Sequence, residues 1–194
     1  MKTTTKIFLG VAAVGLVAAA YKDVSDRGPS DPTYPAGATD AQKASILLEH
    51  RIKRADRELV EVRDGGGALT IVYRPRDSHD GDGWTKRVLM SAQNALNAIH
   101  NARPEGVPVV IIQAQIPVST PGGPTTYSNG LFLTYNWKDL QGIDWSKWVF
   151  WDAGNLPRDI SFRKFGLEAA LEYCNAGSNA TNVRLFCQRA NAAR

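Results

Sequence analysis

Val107-Pro-Val-Val-Ile-Ile-Gln-Ala-Gln-Ile-Pro-Val118, then Pro121-Gly-Gly-Pro124, then Thr125-Thr-Tyr-Ser-Asn-Gly-Leu-Phe-Leu-Thr-Tyr135, carries the strongest structural pattern in the chain. Two runs rich in β-branched and aromatic residues flank a Pro/Gly loop, which is the pattern of a β-hairpin. The first arm is continuously apolar from Val109 to Ile112, the pattern of a strand covered on both faces. The second arm alternates. A Trp-rich segment from Trp137 to Trp151 follows at once. Lys138 to Gly142 reads as a turn, and Asp144 as the cap of a short helix bearing Trp145, Trp148 and Trp151.

Working upstream, Glu58 to Arg63 and Ala68 to Arg74 flank the turn Asp64-Gly-Gly-Gly67 and predict a second hairpin, with Leu69, Ile71 and Tyr73 on one side. Between the hairpins lies an amphipathic helix over 84–103. Trp84, Val88, Ala92, Ala95, Ile99 and Ala102 form its apolar stripe, Gln93, Asn94, Asn97 and Asn101 lie away from it, and Pro104 and Gly106 end it. Before the first hairpin, Thr39-Asp-Ala-Gln42 is a capping box opening a helix that places Ala41, Ala44, Leu48, Ile52 and Ala55 on one face. Downstream, Leu167, Ala170, Leu171 and Cys174 follow helical spacing. Ser178 or Asn179 then caps a last helix with Val183, Phe186, Cys187 and Ala190 inward. The fold class expected is α+β: a small, mostly antiparallel four-stranded sheet packed by amphipathic helices, with a helical C-terminus, in one domain over residues 40–194.

The N-terminus has the anatomy of an export signal. Lys2 and Lys6 precede the uncharged run Ile7 to Ala20, and Ala18-Ala19-Ala20 offers small residues for cleavage before Tyr21. The run is short for a membrane anchor, so residues 1–20 read as a signal peptide, with an N-terminal tether through residues 7–20 as the alternative. Residues 21–39, with Pro29, Pro32 and Pro35, read as an extended tether. A chain beginning at Tyr21 keeps 21 basic and 19 acidic residues, a net of +2, too balanced to point to nucleic acid. Cys174 and Cys187 are the only two cysteines. Export makes a bridge between them permissible, and two antiparallel helices joined by a short turn bring such positions within reach of one.

The order of export segment, hairpin with Leu69-Thr-Ile-Val-Tyr73, helix, second hairpin and Ile143-Asp144-Trp145 resembles a class of uncharacterised domains in exported or lipid-anchored bacterial proteins. The similarity covers Glu58 to Trp151. It implies an envelope location and a four-stranded sheet, and carries no activity. The chain departs from that class in lacking a lipidation cysteine and in its cysteine-bearing C-terminal helices.

Catalytic chemistry has few places to reside. There is no nucleophile elbow, phosphate loop, dinucleotide fingerprint or His-Glu-x-x-His. His50 and His100 read as solvated residues. His79 sits in Asp77-Ser-His-Asp80-Gly-Asp82, where three carboxylates and an imidazole suggest a divalent cation. An EF-hand, however, needs an acid at Ser78 and a Glu at Leu89, and Asp near a helix start has a capping role of its own. No catalytic residue, cofactor or metal is therefore assigned. Trp137, Trp145, Trp148 and Trp151 are either core packing or an aromatic platform for a partner. The expectation is a non-enzymatic, exported protein of the bacterial cell envelope, periplasmic or anchored facing the periplasm. It would serve as a structural or accessory subunit or a binding module, engaging other envelope or membrane proteins through protein-protein contacts. The alternative is a small metal-assisted hydrolase using the Asp77–Asp82 loop.

Overall fold

The capping box expected at Thr39 opens the first helix, α1 (Asp40–Ala55): Gln42 N–H donates to Thr39 Oγ1 at 3.3 Å, and Thr39 N–H donates to Gln42 Oε1 at 2.8 Å. The structure is a computed structural model that describes residues 32–65, 67–76, 78, 80–102, 107–119 and 122–194. The export segment, 1–20, and the first part of the tether, 21–31, lie outside the described residues. The remainder of the tether, 32–39, forms no helix or strand. Ala36–Arg194 makes one compact unit.

Both hairpins form where the sequence places them. β1 (Leu59–Gly65) pairs antiparallel with β2 (Ala68–Tyr73), and β3 (Val109–Val118) pairs antiparallel with β4 (Thr126–Asn136). The long helix between them, α2 (Gly81–Ala102), carries the chain back along the sheet. β3 therefore lies parallel to β2, with Ala68 opposite Val109 and Tyr73 opposite Ala114, as a helical crossover requires. A fifth strand, β5 (Asp159–Phe162), pairs antiparallel with β4. The four-stranded, mostly antiparallel sheet expected from the sequence is thus corrected to a five-stranded mixed sheet of order β1-β2-β3-β4-β5. The α+β class stands. β5 escapes a sequence reading because Asp-Ile-Ser-Phe is too short to register an alternation.

The remaining helices are α3 (Trp137–Leu140), α4 (Phe150–Asn155), α5 (Lys164–Asn175), α6 (Asn179–Asn182) and α7 (Arg184–Ala192). Two local expectations fail. Asp144 caps no helix: its carboxylate accepts the Ser146 N–H at 3.2 Å and the Ser146 hydroxyl at 2.6 Å, closing a turn instead. Of the three residues expected on that helix, Trp145 stands in a turn, Trp148 in irregular chain, and only Trp151 is helical. The last helix is also broken in two at Val183, whose φ of −119° and ψ of 58° are not helical. Val183, Phe186, Cys187 and Ala190 are nevertheless all buried, as expected.

The helices cover one face of the sheet. Leu69, Ile71 and Tyr73 of β2, Val110, Ile112 and Ala114 of β3, and Leu131, Leu133 and Tyr135 of β4 meet Trp84, Val88, Ala92, Ala95 and Ile99 of α2 in one core. α1 contributes only Leu48 and Ile52; Ala41, Ala44 and Ala55 are exposed, because this helix packs at the margin of the layer. β3 is apolar on both sides only from Val109 to Ile112, and the described helices cover only its Val110–Ile112–Ala114 side, not both faces as the sequence suggests. α5 comes so close to β4 that a Cβ on Gly166 would collide with the Gly130 carbonyl, and one on Gly130 would stand 3.0 Å from the Trp84 ring. A disulfide, Cys174–Cys187, joins α5 to α7 with a Cα separation of 5.5 Å.

Candidate functional site

The tryptophans were the leading sequence candidates for partner binding, and the fold distributes them unequally. The Trp145 ring stacks on His100 with centroids 4.4 Å apart and planes at 14°. Trp148 lies 5.1 Å and Trp137 6.2 Å from Trp145. Trp148 is buried in the core, its carbonyl accepting the Gln93 side-chain amide at 3.0 Å, while Trp137 and Trp145 are half-buried against it. Trp151 is 37% exposed and turns its ring toward Phe150. Trp137, Trp145, Trp148 and His100 form one aromatic cluster, and Trp151 stands outside it, paired with Phe150. His100, read from sequence as solvated, packs on an indole instead.

Of the Asp77–Asp82 loop, Asp77 and His79 lie outside the described residues. Asp80 Oδ1 accepts the Gly83 N–H at 2.7 Å, a capping contact at the start of α2. Asp82 Oδ1 accepts the Asn179 amide at 3.1 Å, which ties α2 to α6. Among the described residues no three metal-ligating side chains cluster.

Three buried tyrosines differ in whether the hydroxyl finds a partner. The Tyr135 hydroxyl donates to the Ala153 carbonyl at 2.5 Å. Those of Tyr73 and Tyr173 have no hydrogen-bond partner among the described residues. Burial pushes the pKa of Tyr173 up from 10.0 to about 12, with the Asp82 carboxylate adding to the rise. Burial also raises Tyr73, which feels Asp56 in addition, and Tyr135 well above the ordinary value.

The other face of the sheet carries a different kind of surface. Val72 and Gln113 are buried yet stand apart from the core cluster, and half-buried Ile111 and Phe132 pack against none of it. These residues alternate with the core positions of β2, β3 and β4, so they project to the side away from the helices. Across them runs a polar ladder. On β1, Arg63 Nε lies 3.3 Å from Glu61 Oε2. The same guanidinium reaches over β2 to donate to Gln113 Oε1 at 3.3 Å, and Gln113 Nε2 donates to Asn129 Oδ1 on β4 at 2.7 Å. A second rung lies beside it. Arg74 Nε donates to Gln115 Oε1 at 2.9 Å, and its guanidinium sits 4.3 Å from the centre of the Tyr127 ring.

Chemically this face offers fixed amides, two guanidinium groups and aromatic surface from Tyr127 and Phe132, with Thr70 and Thr134 between them. Glu61 and Asp159 balance Arg63 and Arg74, so it carries no strong charge of either sign. Such a surface recognises by hydrogen bonding and flat contact rather than by field. No sequence signal marks it, since its members come from four strands and meet only through the register. No protein-family model, curated protein or solved structure matches this chain.

Proposed function

We propose that this chain is an exported, non-enzymatic protein of the cell envelope, a structural or accessory subunit or a binding module that presents the sheet face left open by the described helices to another envelope or membrane protein. The observation that carries this reading is the ladder on that face. Arg63, Gln113, Asn129, Arg74 and Gln115 are held in place before any partner arrives, which lowers the entropic cost of binding. The signal-like segment, 7–20, supports export, either cleaved or kept as a membrane tether, and the Cys174–Cys187 bridge suits an oxidising compartment. The near-balanced charge favours a protein partner over nucleic acid. The metal-assisted hydrolase reading has less behind it, since the Asp80 and Asp82 carboxylates already serve Gly83 and Asn179.

The test compares the wild-type chain with a variant carrying Arg74→Glu and Phe132→Asp, both expressed in the native host and recovered from its envelope fraction. The wild type is expected to co-purify with a partner that the variant releases, at unchanged melting temperature. Identical co-purifying proteins for the two chains would remove the sheet face as the binding surface. Recovery of the wild type from the cytosol with free thiols would remove the export reading.

A further inference from the structure

A concavity between the end of α1 and the first half of α2 plays no part in the reading above. Its volume is about 720 Å³, within the range of small-ligand sites. Ala55 and Met90 give it an apolar floor, and Met90 is 45% exposed although it sits midway along α2. Arg57, Arg76, Lys86 and Arg87 give it a cationic rim.

Two acids also line the concavity, and both already have hydrogen-bond partners. Glu58 Oε1 takes the Arg87 guanidinium at 2.8 Å and the Arg76 N–H at 3.1 Å. Asp56 Oδ1 accepts the Glu58 N–H at 2.8 Å. Arg87 is therefore neutralised in place. Arg57, Lys86 and the Arg76 guanidinium make no salt bridge among the described residues. Four bases against two acids leave a net of +2 around the opening. Arg51, exposed one turn before Ala55 on the same side of α1, adds to it.

Guanidinium groups outnumber ammonium groups on this rim, and their planar forks suit an oxyanion held by paired hydrogen bonds. A local charge of +2 is complementary to a dianion, and a phosphate monoester carries about −1.5 to −2 at neutral pH. We propose that this groove binds a phosphate monoester, with the phosphate held by Arg57, Arg76 and Lys86 and an apolar body lying on Met90 and Ala55. The source of that phosphate is a soluble ester or the headgroup of a phosphatidic acid, which share this chemistry.

The experiment uses the full-length chain and a double variant, Arg57→Glu with Lys86→Glu; both side chains are exposed, so the fold is retained and is checked by melting temperature. The probes are 1-naphthyl phosphate in solution and vesicles with or without phosphatidic acid. The N-terminal segment is common to both proteins, so only the difference between them is read at the vesicle. The phosphate ester is expected to shift the Met90 methyl resonance, with affinity falling as salt rises and falling at least about tenfold in the double variant. Vesicle binding that needs both phosphatidic acid and the two bases identifies the lipid source; soluble binding alone identifies the free ester. Binding of either probe that the double variant retains undiminished overturns the proposal. So does the absence of any response from Met90 and from the vesicles.

Discussion

On its helical face the sheet presents Ile71, Val110, Ile112, Leu131, Leu133 and Tyr135, each fully buried. On its other face it presents Arg63, Arg74, Gln113, Gln115 and Asn129, joined by directed hydrogen bonds. The first face is specified by shape. A close-packed interior has no spare volume, so its energy responds steeply to a single added or missing atom. The second is specified by partners that water replaces at small cost. Tolerance to change is therefore unequal: stability rests on the helical face, and the ladder is the side where substitution costs least.

The sharpest way to break this contrast is Gly166→Ala. The new methyl would press on the Gly130 carbonyl, a backbone atom that cannot rotate away. Urea denaturation is expected to show a loss of about 3 kcal/mol or more; a loss below about 1 kcal/mol would mean that the helical face yields as readily as the open one.

Next in size is the bridge between α5 and α7. Replacing Cys174 and Cys187 together with serine is expected to cost about 2–3 kcal/mol by the chain-entropy argument for a short loop. A thermal melt unaltered by the double substitution would show that helix packing alone holds the C-terminus.

The buried tyrosines divide the helical face further. Tyr135→Phe strands the Ala153 carbonyl and is expected to cost about 1–2 kcal/mol. Tyr173→Phe removes a hydroxyl with no partner among the described residues and is expected to be near neutral at pH 7. Its effect emerges in alkali. A pKa raised from 10.0 to about 12 means that the fold favours the protonated phenol. That contribution is complete below pH 10 and is lost as pH rises through 12. The wild type should therefore lose stability across that window more steeply than Tyr173→Phe, and superimposable pH–stability curves would refute the assignment.

The smallest effect belongs to the ladder. Arg63 is half exposed, and a double-mutant cycle of Arg63→Ala with Gln113→Ala is expected to return a coupling below about 1 kcal/mol. A coupling of several kcal/mol would erase the distinction between the faces.

Much of the helical face was legible in the sequence, because local pattern decides it. The Thr39 capping box, the stripe from Trp84 to Ile99, both hairpins and the cysteine pairing each rest on residues a few positions apart, or on two arms joined by one turn. What escaped is non-local. That the second hairpin docks through β3 and not β4 is a choice among pairings, and the alternation in Val109–Val118 is equal under both. Trp145 was misplaced because the Asp144 side chain competes for backbone donors in a turn as well as at a helix start. The ladder was invisible for the same reason as β5: Arg63, Gln113 and Asn129 mean nothing together until three strand pairings have been fixed. The groove between α1 and α2 likewise joins Arg57 to Lys86 only through packing.

The parallel seam between β2 and β3 carries a kinetic consequence. Each hairpin closes over a short loop, and such pairings form on a timescale of about 1–10 μs. The seam closes only after α2 has formed and turned back on the sheet, and the entropy of that closure is spent before any contact across it is rewarded. The chain is therefore expected to acquire its hairpins early and to join them last. Mutational φ-values across Ile71 and Ile112 would then fall below those within the hairpins, at Val62 and Leu133. Until that joining is complete, β2 and β3 each expose an apolar edge, so the interval before seam closure is when newly made chains would pair with one another instead of with themselves.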